Sequence, residues 1–409
     1  MKSKKVNNAR RVVITGLGVV SSLGIGWQEF WKNLLAGKSG ISKITAFDTS
    51  KYDHHYGGEI KNFDPTQFMS RKKAERLGRA SQMAIAASKM ALKDAHLQIS
   101  ETDTNRMGVY LGTTMGESQI LEILNKTLCM GGFDQVNPRL IPIYPTEVIS
   151  RSIAHELRLN GKSLIFANAC SAGNYSIGYA FDCIKQGKAD VMVAGGVDAF
   201  SRLSLTGFSR LIAIAPKKCQ PFDKGREGMI PGEGAGIVIL ESLGYAQKRK
   251  APIYAEVLGY GISCSACHMI EPSIVGITKA LQKTLRNSGI RTNQVDYISA
   301  HGTGTIENDE AECKAINRVF GKRTAKIPVS SIKSMLGHTM GAASAFGAIA
   351  CCLVIKYGHI PPTINHGEDD PRCNIDCVPN KSRSHKAQVV LNNSQAFGGN
   401  NACLVVGSL

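Results

Sequence analysis

The chain has 409 residues, 43% of them hydrophobic and 20% charged, with a formal net charge of +17. That supplies apolar surface for a large core in one or two compact units, and it leaves too little compositional bias for long disorder. The positive balance fits a generally basic solvated surface or an anionic partner, whether nucleic acid, a membrane surface or an acidic protein; no zinc finger, aromatic RNA-binding signature or Walker loop is present, which among partners favours an acidic protein.

In chain order, the basic Met1-Lys2-Ser3-Lys4-Lys5 precedes the apolar run Val12-Val13-Ile14 in the manner of a signal peptide. Thr15, Gly16, Gly18 and Ser21-Ser22 interrupt that run, so it predicts a strand entering a glycine turn. No apolar run reaches the roughly 20 residues that cross a bilayer. A cytoplasmic protein without a membrane partner is expected, its 12 cysteines reduced. Arg71, Lys72, Lys73 and Arg76 then form a basic cluster near a helix start.

Short β-branched runs alternate with helical patterns: Arg11 to Gly16, Gly108 to Gly112, and Ser163 to Ala167. The alternation predicts an α/β protein with largely parallel buried strands. From Ile253 the pattern restarts, with a strand to Gly259, a helix from Ile277 to Ser288 and a strand from Asp296 to Ser299. Two similar halves are expected, residues 1–250 and 251–409. Each carries a strand, a reactive residue at a tight turn, and a small-residue helix. One such helix runs from Gly173 to a cap at Gly187, the other from Gly341 to about Gly358.

Asn168-Ala169-Cys170-Ser171-Ala172-Gly173 puts a cysteine between a buried strand and the first turn of a helix. Free N–H groups and the helix dipole there are expected to lower the thiol pKa, making Cys170 a candidate nucleophile. A buried inert cysteine is the competing reading.

Downstream come His301-Gly302-Thr303-Gly304-Thr305 and Ser331-Ile332-Lys333-Ser334-Met335-Leu336-Gly337-His338. With Cys170 they closely resemble the Cys-His-His signature of elongating β-ketoacyl-acyl-carrier-protein synthases. The resemblance extends through Pro221-Phe222-Asp223 and Gly232-Glu233-Gly234-Ala235-Gly236 to Phe397-Gly398-Gly399-Asn400. It implies a thiolase fold, two duplicated βαβαβ-type halves in a five-layer α-β-α-β-α sandwich. It also implies decarboxylative Claisen condensation of malonyl-acyl carrier protein with an acyl chain on Cys170.

By the same resemblance, His301 and His338 donate to the enolate, and the N–H groups of Cys170 and Phe397 form the oxyanion hole. Lys333 orients the site through a carboxylate, Glu312. Thr303 and Thr305 hold the phosphopantetheine arm, and Phe397 gates the site on a hinge at Gly398 and Gly399. An acidic acyl carrier protein docks on Arg71, Lys72, Lys73 and Arg76. No bound cofactor or metal is implied, and the family is dimeric, as a homodimer or paired with a chain-length-factor homologue.

Cys264-Ser265-Ala266-Cys267-His268 formally matches a haem-attachment motif, and these cysteines with Cys373 and Cys377 could supply two zinc ligand pairs. Ser265, Cys267, Gln395 and Ala396 depart from the residues usual in the family. Such drift suits a type II polyketide or polyene synthase as well as one serving fatty acids. Two further readings are an inert partner subunit or scaffold, and a coenzyme A thiolase, whose second cysteine Cys403 would have to supply.

Overall fold

The computed structural model describes residues 10–409. The basic Met1 to Lys5 segment lies outside the described residues. Ten principal strands build one mixed sheet: β1 (Val12–Ser21), β2 (Met107–Gly112), β3 (Ser163–Phe166), β4 (Val191–Asp198), β5 (Gly234–Ser242), β6 (Ala255–Cys264), β7 (Tyr297–Ser299), β8 (Val329–Ser330), β9 (Val389–Ser394) and β10 (Asn400–Gly407). Their spatial order is β8-β7-β9-β10-β6-β1-β5-β4-β2-β3.

The order repeats outward from the centre: β1-β5-β4-β2-β3 on one side mirrors β6-β10-β9-β7-β8 on the other. The groups meet where Val12, Val13 and Ile14 pair antiparallel with Val257, Glu256 and Ala255. Only the outer trios β3-β2-β4 and β8-β7-β9 are parallel; the inner pairings are antiparallel. The expectation of largely parallel strands is therefore corrected. β9 returns directly into β10 through a short turn, a connection that only antiparallel neighbours permit.

Among the described residues nine longer helices accompany this sheet: α1 (Trp27–Leu35), α2 (Arg79–Asp94), α3 (Ser118–Gly131), α4 (Val148–Leu157), α5 (Ala172–Lys185), α6 (Arg202–Arg210), α7 (Ile274–Ser288), α8 (Ile306–Phe320) and α9 (Ala343–Tyr357). α2 and α4 cover the first strand group and α7 the second, with α8 packed against α7, while α5 and α9 touch each other and strands of both. The five layers are α, β, α, β and α. The stretch Met340–Tyr357 is apolar and long enough to pass for a membrane span by composition, but 83% of it is buried inside the protein. It is a core helix.

Small residues set the spacing of the layers. A Cβ on Gly173 would come within 2.7 Å of Ala345 N, so α5 and α9 touch backbone to backbone. Gly16 and Gly18 do not make the expected turn; β1 continues through them, fully buried, with an irregularity at Thr15 where its register against β5 shifts. A Cβ would lie 2.1 Å from Ala91 O at Gly16 and 1.9 Å from Ala87 O at Gly18. The glycines let α2 lie directly on the strand.

Candidate active site

β3 delivers its chain into a sharp bend at Ala169, whose φ is +48°. This left-handed conformation is costly for alanine, and it lifts Cys170 into a single 3-10 turn ahead of α5. Ser394 Oγ donates to Cys170 O at 3.1 Å, tying the turn to the end of β9. Cys170 is buried, 6% exposed. Burial pushes its thiol up to about 12, against the opposing charge of Lys333. The expected lowering is thus corrected: one nearby cation and one short turn do not offset complete desolvation.

The pseudo-equivalent turn of the second half carries the same bend. Met340 has φ +51°, and α9 starts three residues later, as α5 does after Ala169. Here Met340 N donates to Nδ1 of His338 at 3.1 Å. With Nδ1 accepting, neutral His338 carries its proton on Nε2. Gly341 N donates to Asp198 at 2.6 Å. Asp198 also receives Thr113 Oγ1 at 2.7 Å, Thr114 N at 2.8 Å and Met115 N at 2.7 Å, and burial raises its pKa to about 6.

His301 follows β7, with its backbone gripped from both sides. Its N–H donates to Glu312 at 2.8 Å, as does that of Gly302, and Asn393 Nδ2 donates to the same carboxylate at 2.7 Å. Lys333 Nζ donates to His301 O at 2.6 Å. No ion pair joins Lys333 to Glu312 among the described residues, but the Glu312 charge bears on Lys333, opposing the lowering of its pKa by burial. They act on opposite ends of one residue because Glu312 comes from α8 and Lys333 from the turn after β8. Burial and the Lys333 charge hold both imidazoles well below the usual histidine range. The rings meet edge to face with centroids 5.5 Å apart.

Cys170, His301 and His338 wall one cavity of about 760 Å³, together with Thr303, Thr305 and Phe397. The two threonine hydroxyls lie 2.9 Å apart. Phe397 opens the turn between β9 and β10 and rests against Phe208, centroid to centroid 5.7 Å. Gly398 and Gly399 follow with φ of +75° and +73°, a backbone that other residues adopt only with strain. Gly398 N donates to Met269 O at 2.7 Å and Ser265 N to Gly399 O at 2.9 Å. The phenylalanine turn and the loop carrying Ser265 and Cys267 therefore form one unit over the cavity.

The basic cluster stands apart from that cavity, on the single helical turn Arg71–Ala74 and at Arg76 just beyond it. Lys73 pairs with Glu156, which Lys89 also contacts, and Arg71 faces Glu75 at 3.6 Å. Lys72 and Arg76 remain exposed. Cys264 and Cys267 are exposed, whereas Cys373 and Cys377 are buried; no three metal-ligating side chains gather among the described residues. Cys403 is buried within β10 and does not reach the cavity.

Sequence reasoning missed Asp198, Asn393 and the cavity-mouth residues Phe208 and Ile212. Asp198 has no local signal, because its partners at Thr113 and Gly341 lie in distant segments.

Residues 9–246 match the family described as β-ketoacyl synthase, N-terminal domain, and residues 254–367 its C-terminal domain. The 3-oxoacyl-[acyl-carrier-protein] synthase 2 of Staphylococcus aureus is 39% identical over 404 residues, covering 97% of this chain and 98% of that protein. Its namesake from Synechocystis is also 39% identical, covering 97% of each. Among solved structures, the ishigamide ketosynthase/chain length factor superposes with a TM-score of 0.95 at 44% identity, covering 98% of this chain and all of that one. A type II PKS acyl-carrier protein in complex with its ketosynthase bound to the hexaketide gives 0.91 at 32% identity, with the same coverage.

Proposed function

The chain belongs to the β-ketoacyl synthase family, and from that premise we propose that Cys170, His301 and His338 are its catalytic residues. The enzyme condenses malonyl-acyl carrier protein with a cysteine-bound acyl chain, giving β-ketoacyl-acyl carrier protein in fatty acid or polyketide biosynthesis. The observation that carries the residue roles is that this sulfur and these two rings wall a single cavity.

First, the Cys170 sulfur attacks the acyl thioester of a charged carrier protein. The S–H bond and the carrier's C–S bond break, an acyl-Cys170 thioester forms, and the proton leaves on the carrier thiol. The N–H groups of Cys170 and Phe397 receive the oxyanion. Malonyl carrier protein then loses carbon dioxide, and the electron pair of the broken bond becomes an enolate. Neutral His301 and His338 each donate one N–H to the enolate oxygen, with no proton transfer. The enolate carbon attacks the acyl-Cys170 carbonyl, a carbon–carbon bond forms, and the departing Cys170 thiolate takes a proton from solvent.

Lys333 and Glu312 support these steps by fixing the His301 backbone. Thr303 and Thr305 hold the phosphopantetheine arm, while Phe397 swings on Gly398 and Gly399 when Cys170 is acylated. Lys72 and Arg76, being exposed and unpaired with a carboxylate among the described residues, lead the docking of an acidic carrier protein, with Arg71 and Lys73 beside them. The reaction as written draws on no bound cofactor. β3 ends the sheet with Ser163 and Leu164 exposed, which supports a second subunit there, either a copy of this chain or a chain-length-factor homologue. The symmetric strand order supports two duplicated units, 1–250 and 251–409.

Intact mass after mixing with acyl-carrier protein tests the assignment. The wild type is expected to gain the acyl mass and Cys170→Ala to gain none. An equal gain in the variant removes Cys170 from its role.

A further inference from the structure

Asp198 ends β4, takes no part in the steps above, and is fully buried. Four donors share its carboxylate. Oδ1 accepts from Thr113 Oγ1 and Met115 N, each at 2.7 Å, and Oδ2 accepts from Thr114 N at 2.8 Å and Gly341 N at 2.6 Å. Three of these donors belong to the loop that follows β2, in the first strand group. The fourth, Gly341 N–H, belongs to the turn that follows His338 in the second. Asp198 is thus a point at which one half grips the other, and the fit is close. A Cβ on Gly341 would lie 2.7 Å from Asp198 Oδ2 and 2.6 Å from Thr113 Cα.

The gripped turn also holds the ring of His338. Met340 N donates to His338 Nδ1 at 3.1 Å, while Met340 itself stands at φ +51°. A residue with a side chain keeps this left-handed conformation only where its surroundings over-determine it. The peptides on either side of Met340 are both anchored, one by its N–H on the imidazole and the next by Gly341 N–H on Asp198.

Building on the condensation reading, we infer that Asp198 is a positioning residue for His338: by accepting from Gly341 N–H it keeps Met340 N–H on Nδ1, and so keeps the proton of the neutral ring on Nε2. Without that acceptor Met340 relaxes toward the right-handed region and its N–H leaves the ring, whose proton can then sit on either nitrogen. Acylation of Cys170 draws on no N–H of His338, whereas decarboxylation does. Only the second half-reaction depends on the contact.

The test measures both half-reactions at pH 8, above the value of about 6 at which Asp198 takes up a proton. Acylation of Cys170 by acyl-carrier protein is read by intact mass, and decarboxylation by carbon dioxide released from malonyl-carrier protein. In Asp198→Ala the loss of decarboxylation is expected to exceed the loss of acylation by about tenfold. Asp198→Asn keeps an oxygen for Gly341 N, its NH2 facing the Thr113 hydroxyl, which can turn to accept, and it is expected to recover most of that difference. Both variants remove the charge, which itself bears on the Cys170 thiol, so the contrast between them reads the acceptor alone. Equal losses in the two half-reactions, or Asp198→Asn no better than Asp198→Ala, overturn the assignment. If Asp198→Ala does not fold, the wild type labelled with 15N-histidine decides. The ring signals that vanish in His338→Ala are expected to report the proton on Nε2, and a proton on Nδ1 overturns the assignment. A wild type that performs both half-reactions while these differences fail loses only the Asp198 assignment. A wild type that releases no carbon dioxide from malonyl-carrier protein loses the condensation reading as well.

Discussion

At the scale of single residues, the site stores its chemistry in protonation states set by burial. Cys170 is a thiol at rest, its pKa pushed up to about 12, and the two imidazoles are neutral donors. A neutral donor pair suits an enolate, which needs hydrogen bonds and must not be quenched by a proton. With the thiol pKa so high, the thiolate fraction rises about tenfold per pH unit well past neutrality. The rate of Cys170 alkylation by iodoacetamide, followed by peptide mass, is therefore expected to climb log-linearly from pH 7 to pH 9. A plateau below pH 8 would show that the resting sulfur is already ionised.

At the scale of elements, glycines govern how closely helix and strand approach. Gly18→Ala would set a methyl carbon 1.9 Å from Ala87 O, and it is expected to cost about 3 kcal/mol of stability by overpacking. Gly244→Ala, where a new Cβ meets nothing within 4 Å, is expected to leave the denaturation midpoint nearly unmoved. Urea melts of the two variants against the wild type check the contrast. This difference also shows why Gly16 and Gly18 misled: along the chain a glycine reads as a turn, while its reason here is α2, some 70 residues onward. The β-branched runs located the strands, because a buried strand needs that composition wherever it pairs. Their directions were not legible, since direction depends on how each connection returns. That Cys170, His301 and His338 belong together was legible through their local motifs, and they do line one cavity. The association of Lys333 with Glu312 came from the same motifs; that both hold the His301 backbone did not, because it depends on how α8 and the turn after β8 pack.

At the scale of the whole molecule, the charge of +17 and the exposed Lys72 and Arg76 make the proposed carrier-protein docking testable. Reversing both, Lys72→Glu with Arg76→Glu, is expected to raise KM for carrier-bound substrate about fivefold while kcat holds, and added salt should shrink the difference. Steady-state kinetics at two ionic strengths measure both effects. The two strand groups contribute unequally to the cavity wall and so to the proposed chemistry: the first supplies the sulfur, the second both rings. They join through a three-residue pairing of β1 with β6 and through the contact of α5 with α9. With the proposed roles neither portion is competent alone, so during biosynthesis the polypeptide stays silent until its second strand group has paired with its first through β6 and β1. Turnover is in this sense a built-in certificate that assembly has been completed.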